Sequence, residues 1–359
     1  MYVRLGEICD FQSGGTPSKN NQKFFDGDIP WITTVALKGL GIDGSDAVNW
    51  ITEEAIKQSA AKIVPANSIM IGTRVGVGKV AINLVDMSTS QDIVSLIGID
   101  ETRWCKEYLC KCLIGKSQYL NSQARGATIK GIKIDTLANL KIPEISIEKQ
   151  YEVSRIIDKT RIIIEQRKQE LMNLNELMKA RFVEMFGDPI RNTQNRPTTE
   201  FINVVKMQRG FDLPVQDRQQ DGEIPVYGSN GALDYHNVAK IHGGVITGRS
   251  GTIGKVFYTE GDFWPLNTSL FSADTHGNNV IYLGYLLQLF DLTRFVEGTG
   301  VPTLNRNMFH NKQIIDVPID EQRVFAAFVN EIDKSKSAVK KALDETQLLF
   351  DSLMQEYFG

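Results

Sequence analysis

The sequence predicts an α+β protein with two mixed globular parts, each followed by one long helix. Residues 150–187 align without a gap on residues 322–359, and both stretches end in Phe-Gly, at Gly187 and Gly359. Short β-branched runs cut by Gly and Asn turns precede each stretch, a pattern typical of strands. The flanking sequences recur in the same order, so we interpret the chain as a pseudo-twofold internal repeat.

The repeat divides the chain into four segments, residues 1–143, 144–187, 188–318 and 319–359. The two long helices are predicted at about 147–185 and about 321–357. Between them the sequence FGDPIRNTQNRP has the Gly, Asp-Pro and Asn residues that end a helix and begin a loop. Shorter helical patterns at about 103–121 and 279–296 interrupt the strands of each globular part.

Apolar residues recur along one face of each long helix at three- and four-residue steps. A narrow seam sustained in this way predicts coiled-coil pairing rather than packing on a sheet. At a rise of 1.5 Å per residue, each helix would be about 55 Å long. Two unrelated surface helices would leave the shared register unexplained. The seam consists of Val153, Ile157, Ile164, Leu171, Leu174, Met178, Phe325, Val329, Ile332, Val339, Leu343, Phe350 and Leu353.

Composition indicates an ordinary globular protein, with 42% hydrophobic and 23% charged residues among 359. No apolar run is long enough for a membrane span, and the N-terminal sequence lacks a signal core, so we expect a cytoplasmic protein. The four cysteines form no CxxC pair and the histidines lie in the other half, so we expect buried, reduced thiols and no metal site.

The net charge of −3 gives the chain few phosphate contacts of its own if it binds DNA. Residues 1–143 have 16 Lys and Arg against 14 Asp and Glu, a net charge of +2. Residues 188–318 have 11 against 13, a net charge of −2. A partner would have to supply much of the positive surface.

Two glycine-rich stretches, IGTRVGVGKV and ITGRSGTIGKV, place Arg74 and Lys79 in one half and Arg249 and Lys255 in the other. Neither is a phosphate-binding P-loop, because both lack the first glycine and the final Ser or Thr. We predict a glycine-rich turn between two strands that exposes one arginine and one lysine. A single copy would suggest a hairpin with two solvated cations; the recurrence favours a functional loop.

Four further polar loops, at residues 13–21, 123–131, 227–236 and 297–307, contain groups able to bond phosphate or base edges. Each could equally be a plain surface loop. Catalytic signatures are missing: the sequence has no G-x-S-x-G, no HExxH, no paired G-x-G-x-x-G after a strand and no amino-methyltransferase motif. A nucleotide hydrolase or a self-contained methyltransferase is therefore disfavoured.

Six segments together suggest a family: SGGTPSKNNQKFFDGDIPWIT, GTRVGVGK, STSQDIVSL, GATIKGIKIDTLANLKIPEISIEKQ, IPVYGSNGAL and GVPTLNRNMF. With the repeat and the helices, they make the chain resemble the specificity (S) subunit of type I restriction–modification systems. The resemblance covers essentially the whole chain. The chain departs from the family pattern in its short N-terminus and its acidic second globular part.

The resemblance implies two target-recognition domains that each read one half of a bipartite site in double-stranded DNA. It also implies that the two helices pair antiparallel and set the spacing between the half-sites. Two DNA methyltransferase (M) subunits would dock on the helices and bind S-adenosylmethionine, and restriction (R) subunits are a further partner in such systems. This chain itself would bind no cofactor and would not be an enzyme.

Transferred to this sequence, the resemblance gives candidate DNA contacts in both parts and no catalytic residue. The candidates are Gly15, Thr16, Arg74, Lys79, Arg125, Thr128, Lys130, Tyr227, Ser229, Asn230, Arg249, Ser250, Lys255, Thr303 and Arg306. The competing hypothesis is a coiled-coil scaffold whose two globular parts bind other proteins. That hypothesis predicts no DNA affinity.

Overall fold

The computed structural model of the chain describes residues 1–39, 41–126, 131–219, 221–298 and 302–359. Its helices are α1 Glu53–Gln58, α2 Lys106–Gly115, α3 Ser117–Gln123, α4 Ile134–Ala138, α5 Ile147–Phe186, α6 Phe201–Val204, α7 Val280–Phe290 and α8 Ile319–Phe358. Its strands are β1 Tyr2–Arg4, β2 Asp10–Ser13, β3 Ile29–Ile32, β4 Asn49–Ile51, β5 Ile63–Val64, β6 Ile69–Gly72, β7 Val80–Ile82, β8 Met87–Thr89, β9 Ile93–Ile97, β10 Lys141–Pro143, β11 Thr198–Glu200, β12 Lys206–Arg209, β13 Ile224–Gly228, β14 Gly231–His236, β15 Ile241–Gly248, β16 Val256–Pro265, β17 Ser269–Asp274, β18 Val296–Glu297, β19 Thr303–Leu304 and β20 Gln313–Ile315.

The two long helices are α5 and α8, of 40 residues each, and both end within two residues of the prediction. Helix α5 ends where Gly187 takes a φ of +81° and its N–H donates to the Val183 carbonyl at 2.8 Å. Glycine adopts that left-handed conformation without steric cost, which is why helices often end on it. None of the helices in the described ranges combines the length and the apolar character that a bilayer crossing requires.

The chain forms two compact units. Unit 1 comprises residues 1–166 and 343–359, and unit 2 comprises residues 167–342. Both long helices are therefore divided between the units, because their two halves contribute to different hydrophobic cores. These two units differ from the four segments predicted from the sequence. The predicted boundaries lie at the ends of the long helices, whereas the units are defined by packing.

Unit 1 contains two four-stranded sheets, ordered β2-β9-β6-β7 and β4-β3-β8-β5, and the pair β1-β10. The largest core of this unit joins β6 and β9 to the buried face of α2, where Tyr108 and Leu109 are almost fully enclosed. Val153 and Ile157 from the first turns of α5 belong to the same core, and so does Phe358 from the end of α8.

Unit 2 contains a six-stranded sheet, ordered β12-β17-β15-β16-β13-β14, and the pairs β11-β20 and β18-β19. Its main core packs α7 against the end of α5 and the start of α8. Phe325 of α8 lies 5.4 Å from the Phe182 ring and 5.7 Å from the Phe186 ring of α5, measured between centroids. Aromatic pairs at these distances add to the stabilisation from burial.

None of the predicted seam residues is exposed. Val153, Ile157, Ile164, Met178 and Phe325 are among those that are fully buried, and the remaining members are buried or partly buried. The four cysteines are free and buried, as expected. Burial raises the pKa of Cys9 and of Cys110 to about 12, so both thiols are protonated at neutral pH.

In unit 1, a buried glutamine ties the first turn of α5 to the segment before α2. The Gln150 side-chain carbonyl accepts a hydrogen bond from the Cys105 N–H at 2.8 Å. Its amide nitrogen donates to the carbonyls of Arg103 and Ile145, both at 2.9 Å. One side chain therefore satisfies three backbone groups, one in a buried and two in partly buried hydrogen bonds.

Gln322, aligned with Gln150 in the repeat, performs the same task in unit 2. Its side-chain carbonyl accepts from the Asn279 N–H at 2.8 Å, at the start of α7. Its amide nitrogen donates to Asn278 Oδ1 at 2.6 Å and to the Val317 carbonyl at 2.8 Å. In each unit, one glutamine fixes the junction between the long helix and the shorter helix beside it.

We expect Gln150→Leu to lower the free energy of unfolding by about 2–3 kcal/mol, because three buried or partly buried backbone groups lose their partner. Gln166→Leu is the matched control, since Gln166 is exposed on the same helix and should change stability by less than about 0.5 kcal/mol. Urea denaturation of the two variants measures the difference. Equal stability would contradict this role of Gln150.

Candidate nucleic-acid interface

The first predicted loop joins β6 to β7, which pair antiparallel from Ile69↔Ile82 to Ile71↔Val80. The hairpin closes where the Gly72 N–H donates to the Lys79 carbonyl at 2.9 Å. Gly78 has a φ of +79° and a Cβ added there would lie 3.1 Å from Ser117, so a larger residue would strain this turn. Arg74 and Lys79 are both exposed, which confirms the predicted turn between two strands.

A second segment supports this hairpin loop. Arg125 and Gly131 exchange two backbone hydrogen bonds of 3.0 Å, and the Ile132 N–H donates to the Thr73 carbonyl at 2.8 Å. The chain that follows α3 is thereby held against the base of the hairpin loop. Thr128 and Lys130, two predicted contacts from the same stretch, lie outside the described residues.

Arg74 and Arg125 line one cavity of about 550 Å³ together with Lys133. We call it the arginine cavity; its other lining residues are Gln123, Gly131, Ile132 and Thr136. Among the described residues, no carboxylate lines this cavity, and none of the three cations forms an ion pair. The cavity therefore has an uncompensated positive charge that suits an anionic or electron-rich ligand.

Sequence reasoning missed Lys133 and Gln123. Lys133 lies two positions after Gly131, and Gln123 is the last residue of α3. The signal that could have found Lys133 was the concentration of basic residues between 125 and 133; Gln123 had no such signal. Lys79, in contrast, lines a different cavity from Arg74, with Lys38 and Arg161.

Gly15 is buried, and its carbonyl accepts a hydrogen bond from Trp31 Nε1 at 3.0 Å. A Cβ at this position would lie 2.2 Å from the Ala60 backbone. The structure thus assigns Gly15 to close packing, and its contact with DNA stays a prediction. Thr16 is partly exposed, and its hydroxyl is hydrogen-bonded to Gln91 Oε1.

The corresponding loop of unit 2 joins β15 to β16 through residues 249–255. Its first residue is anchored by the Arg249 N–H, which donates to the Thr268 carbonyl at 2.9 Å. At its end, Lys255 Nζ donates to Asn230 Oδ1 at 2.7 Å. The loop thereby contacts the tight turn between β13 and β14, where Ser229 and Asn230 lie.

A returning segment also supports the loop of unit 2. Ser250 forms an antiparallel bridge with Thr303, and the Leu304 N–H donates to the Arg249 carbonyl at 2.8 Å. Six of the eight predicted residues of unit 2 are therefore gathered around one loop: Ser229, Asn230, Arg249, Ser250, Lys255 and Thr303. These donors and acceptors match the groups that bases and phosphates present.

The other two predicted residues have different surroundings. The Tyr227 ring packs 6.3 Å from Phe257 and 5.9 Å from Phe263, and burial raises the pKa of its hydroxyl. Arg306 lies in a short 3-10 helix near His310. Burial first, and then the positive charge of Arg306, lowers the pKa of His310, so this imidazole is neutral at pH 7.

The described ranges contain no group of three or more His, Cys, Asp or Glu side chains arranged to hold a metal ion. The chemistry available at the two loops is recognition through hydrogen bonds and charge. An arginine held at the base of a rigid hairpin can bond guanine N7 and O6 bidentately, while serine, asparagine and threonine bond either bases or phosphates.

A family model, the type I restriction modification DNA specificity domain, matches residues 1–173 and again residues 192–346. The chain therefore belongs to this family of specificity domains and contains two copies of the domain.

Named relatives agree with this assignment. The MjaIX specificity subunit of Methanocaldococcus jannaschii is 30% identical over 202 residues, which cover 55% of this chain and 45% of that subunit. The EcoR124I/EcoR124II specificity subunit of Escherichia coli is 33% identical over 165 residues, which cover 44% of this chain and 40% of the relative. The EcoprrI specificity subunit of E. coli is 22% identical over 362 residues, covering 94% of this chain and 88% of the relative. The matches thus span less than half the length of the first two relatives.

Two solved structures have a similar fold. The S subunit of a type I restriction–modification system from M. genitalium gives a TM-score of 0.64 at 16% identity, covering 100% of this chain and 96% of that one. A chain from work on complex assembly and conformational transition of the type I R-M system gives 0.66 at 16% identity, covering 100% and 97%. At this identity the similarity establishes the α+β fold alone.

Proposed function

We propose that this chain is the sequence-specific DNA-recognition subunit of a type I restriction–modification complex. The observation on which this mainly rests is the pair of hairpin loops, 73–79 in unit 1 and 249–255 in unit 2. Each loop has an arginine near its start. Each loop is also hydrogen-bonded to a segment that follows a shorter helix, α3 in unit 1 and α7 in unit 2. Each unit would read one half of a bipartite site, with Arg74 and Arg249 as the leading base contacts.

We further propose that α5 and α8 pair as an antiparallel coiled coil that sets the distance between the half-sites. Two separate contacts support this pairing. In unit 1, Val153 near the start of α5 shares a core with Phe358 at the end of α8. In unit 2, Phe182 near the end of α5 packs on Phe325 near the start of α8. Forty residues correspond to about 60 Å, longer than one 34–36 Å turn of B-DNA.

The long helices also offer a surface for partner subunits. Ile162 is 53% exposed on α5 and Leu348 is 72% exposed on α8, although both are large and apolar. Such residues are typical of protein–protein contacts when they lie in an accessible patch. We propose that two DNA methyltransferase subunits dock here, bind S-adenosylmethionine and perform the chemistry, and that restriction subunits can join them.

The net charge of the chain also favours a partner. At −3 the chain has little long-range attraction for DNA, although the arginine cavity is locally positive. Because phosphate neutralisation dominates DNA affinity, the methyltransferase subunits would supply most of the positive surface around the duplex. The specificity subunit would then contribute selectivity rather than most of the binding free energy.

The proposal is tested by purifying the chain with a methyltransferase subunit of a type I system from the same organism and selecting bound duplexes from a random DNA library. We expect enrichment of one motif made of two short specified parts with an unspecified spacer. A complex that assembles but enriches no motif would contradict DNA recognition and would favour the coiled-coil scaffold. The chain without its partner is the control, and we expect it to bind much more weakly.

A further inference from the structure

The hairpin loop of unit 1 borders a second positively charged cavity, separate from the arginine cavity. It has a volume of about 690 Å³ and is lined by three cations, Lys38, Lys79 and Arg161. We call it the lysine cavity. Arg74 does not line the lysine cavity, so Arg74 and Lys79 of the same loop line different cavities.

The walls of the lysine cavity are fixed by packing and hydrogen bonds. Asn121 Nδ2 donates to the Val77 carbonyl at 3.0 Å and to the Ser117 carbonyl at 2.8 Å, which ties the hairpin loop to α3. Val77 is buried in the main core of unit 1. A side chain at Gly39 would begin 3.7 Å from Arg161 Nη1, so the guanidinium lies close against the chain there.

The charge of this cavity is poorly compensated. No Asp or Glu is among the residues described as lining it, and within the described ranges neither Lys79 nor Arg161 forms an ion pair. Asp158, one helical turn before Arg161, is paired with Lys111 at 2.9 Å. Lys38 has only a long contact of 3.8 Å with Asp46. Three cations around one open cavity favour a phosphate group as ligand.

We propose that the lysine cavity binds a backbone phosphate of the DNA that the arginine cavity reads, an inference that rests on the proposed function. A duplex following the hairpin loop meets Arg74 near one end of the loop and Lys79 at the other. Phosphate contacts fix register and carry no sequence information. Because Arg161 belongs to α5, the proposed spacing helix, the phosphate would lie between the hairpin loop and the first part of that helix. The arginine cavity would thus contact the bases, and the lysine cavity would fix the position of the DNA backbone.

The test uses the complex of the chain with its methyltransferase subunit and two duplexes, one with the selected motif and one with its first half-site scrambled. Dissociation constants are measured over a series of salt concentrations for Arg161→Gln and Lys79→Gln. Lys159→Gln is the matched control, because Lys159 is an exposed cation on the same helix that does not line the cavity.

We expect Arg161→Gln and Lys79→Gln each to reduce the slope of log affinity against log salt by about 0.9, the value for one lost phosphate contact. Both duplexes should lose affinity by the same factor, so their ratio stays that of the wild type. Lys159→Gln should leave slope and ratio unchanged. Replacing single phosphates of the first half-site and the spacer by neutral methylphosphonates should identify one position at which Arg161→Gln has no further effect.

An Arg161→Gln complex with the wild-type slope and normal discrimination would overturn the lysine cavity as a DNA contact while leaving the proposed function intact. A reduced ratio between the two duplexes would overturn its sequence-independent role. Competition by millimolar inorganic phosphate that is abolished in Arg161→Gln, without any change in DNA slope, would identify a free anion as the ligand instead. A wild-type complex that does not distinguish the duplexes would contradict the proposed function itself.

Discussion

Phe325→Ala should lower the free energy of unfolding by about 4 kcal/mol, the largest effect that we expect from a single substitution. The Phe325 side chain is 0% exposed, and its ring centroid lies 5.2 Å from that of Tyr285 of α7. It also contacts Phe182 and Phe186 of α5, so its removal leaves a cavity where three helices meet. Denaturant unfolding followed by circular dichroism measures the loss.

Val324→Ala provides the control, because Val324 precedes Phe325 on the same helix and is 58% exposed. We expect a change of less than about 0.5 kcal/mol for this exposed position. If the two variants unfold at the same denaturant concentration, the start of α8 is not packed on the end of α5. The proposed coiled coil would then lose one of its two supporting contacts.

Arg74→Ala should weaken reading of one half-site only, by about 1–3 kcal/mol if the arginine bonds its base bidentately. Arg74 lines the arginine cavity with Arg125 and Lys133, and no described carboxylate neutralises it there. The loss should appear as relaxed preference at one or two base positions. Selection from a random library with the variant complex measures it position by position.

Arg249→Ala is the reciprocal variant, because Arg249 lies at the start of the equivalent loop of unit 2. We expect it to relax the other half-site and to leave the first one unchanged. Loss of preference at both half-sites from either substitution would contradict the assignment of one half-site to each unit. Loss at neither would remove the hairpin loops from the recognition surface.

Local sequence patterns were enough to predict the long helices and the hairpin loops. A 3.6-residue apolar period sustained over 40 residues has few alternative structures, and both helices lie within two residues of their predicted bounds. Glycine-rich turns between β-branched runs likewise predicted β6-β7 and β15-β16. Their recurrence at matching positions is what favoured a functional interpretation of these loops over ordinary hairpins.

Contacts between residues that are distant in the sequence could not be predicted from it. Gly15 stands in a loop that reads as polar and flexible, yet packing against Ala60 and the Trp31 hydrogen bond bury it. Arg74 and Lys79 are five positions apart, but the hairpin directs them to different cavities. The identity of Gln150 and Gln322 was visible in the alignment, whereas their role at the helix junctions depends on backbone groups distant in sequence.

The central claim, that this chain directs a methyltransferase to a bipartite DNA site, is tested most directly by the adenine methylation map of the host genome. The map is recorded by single-molecule sequencing in strains with the gene intact, deleted, or encoding Arg74→Ala. We predict that one interrupted motif loses methylation on deletion and that the substitution relaxes one of its halves. If every methylated motif persists in the deletion strain while the methyltransferase subunit is expressed, the claim is contradicted.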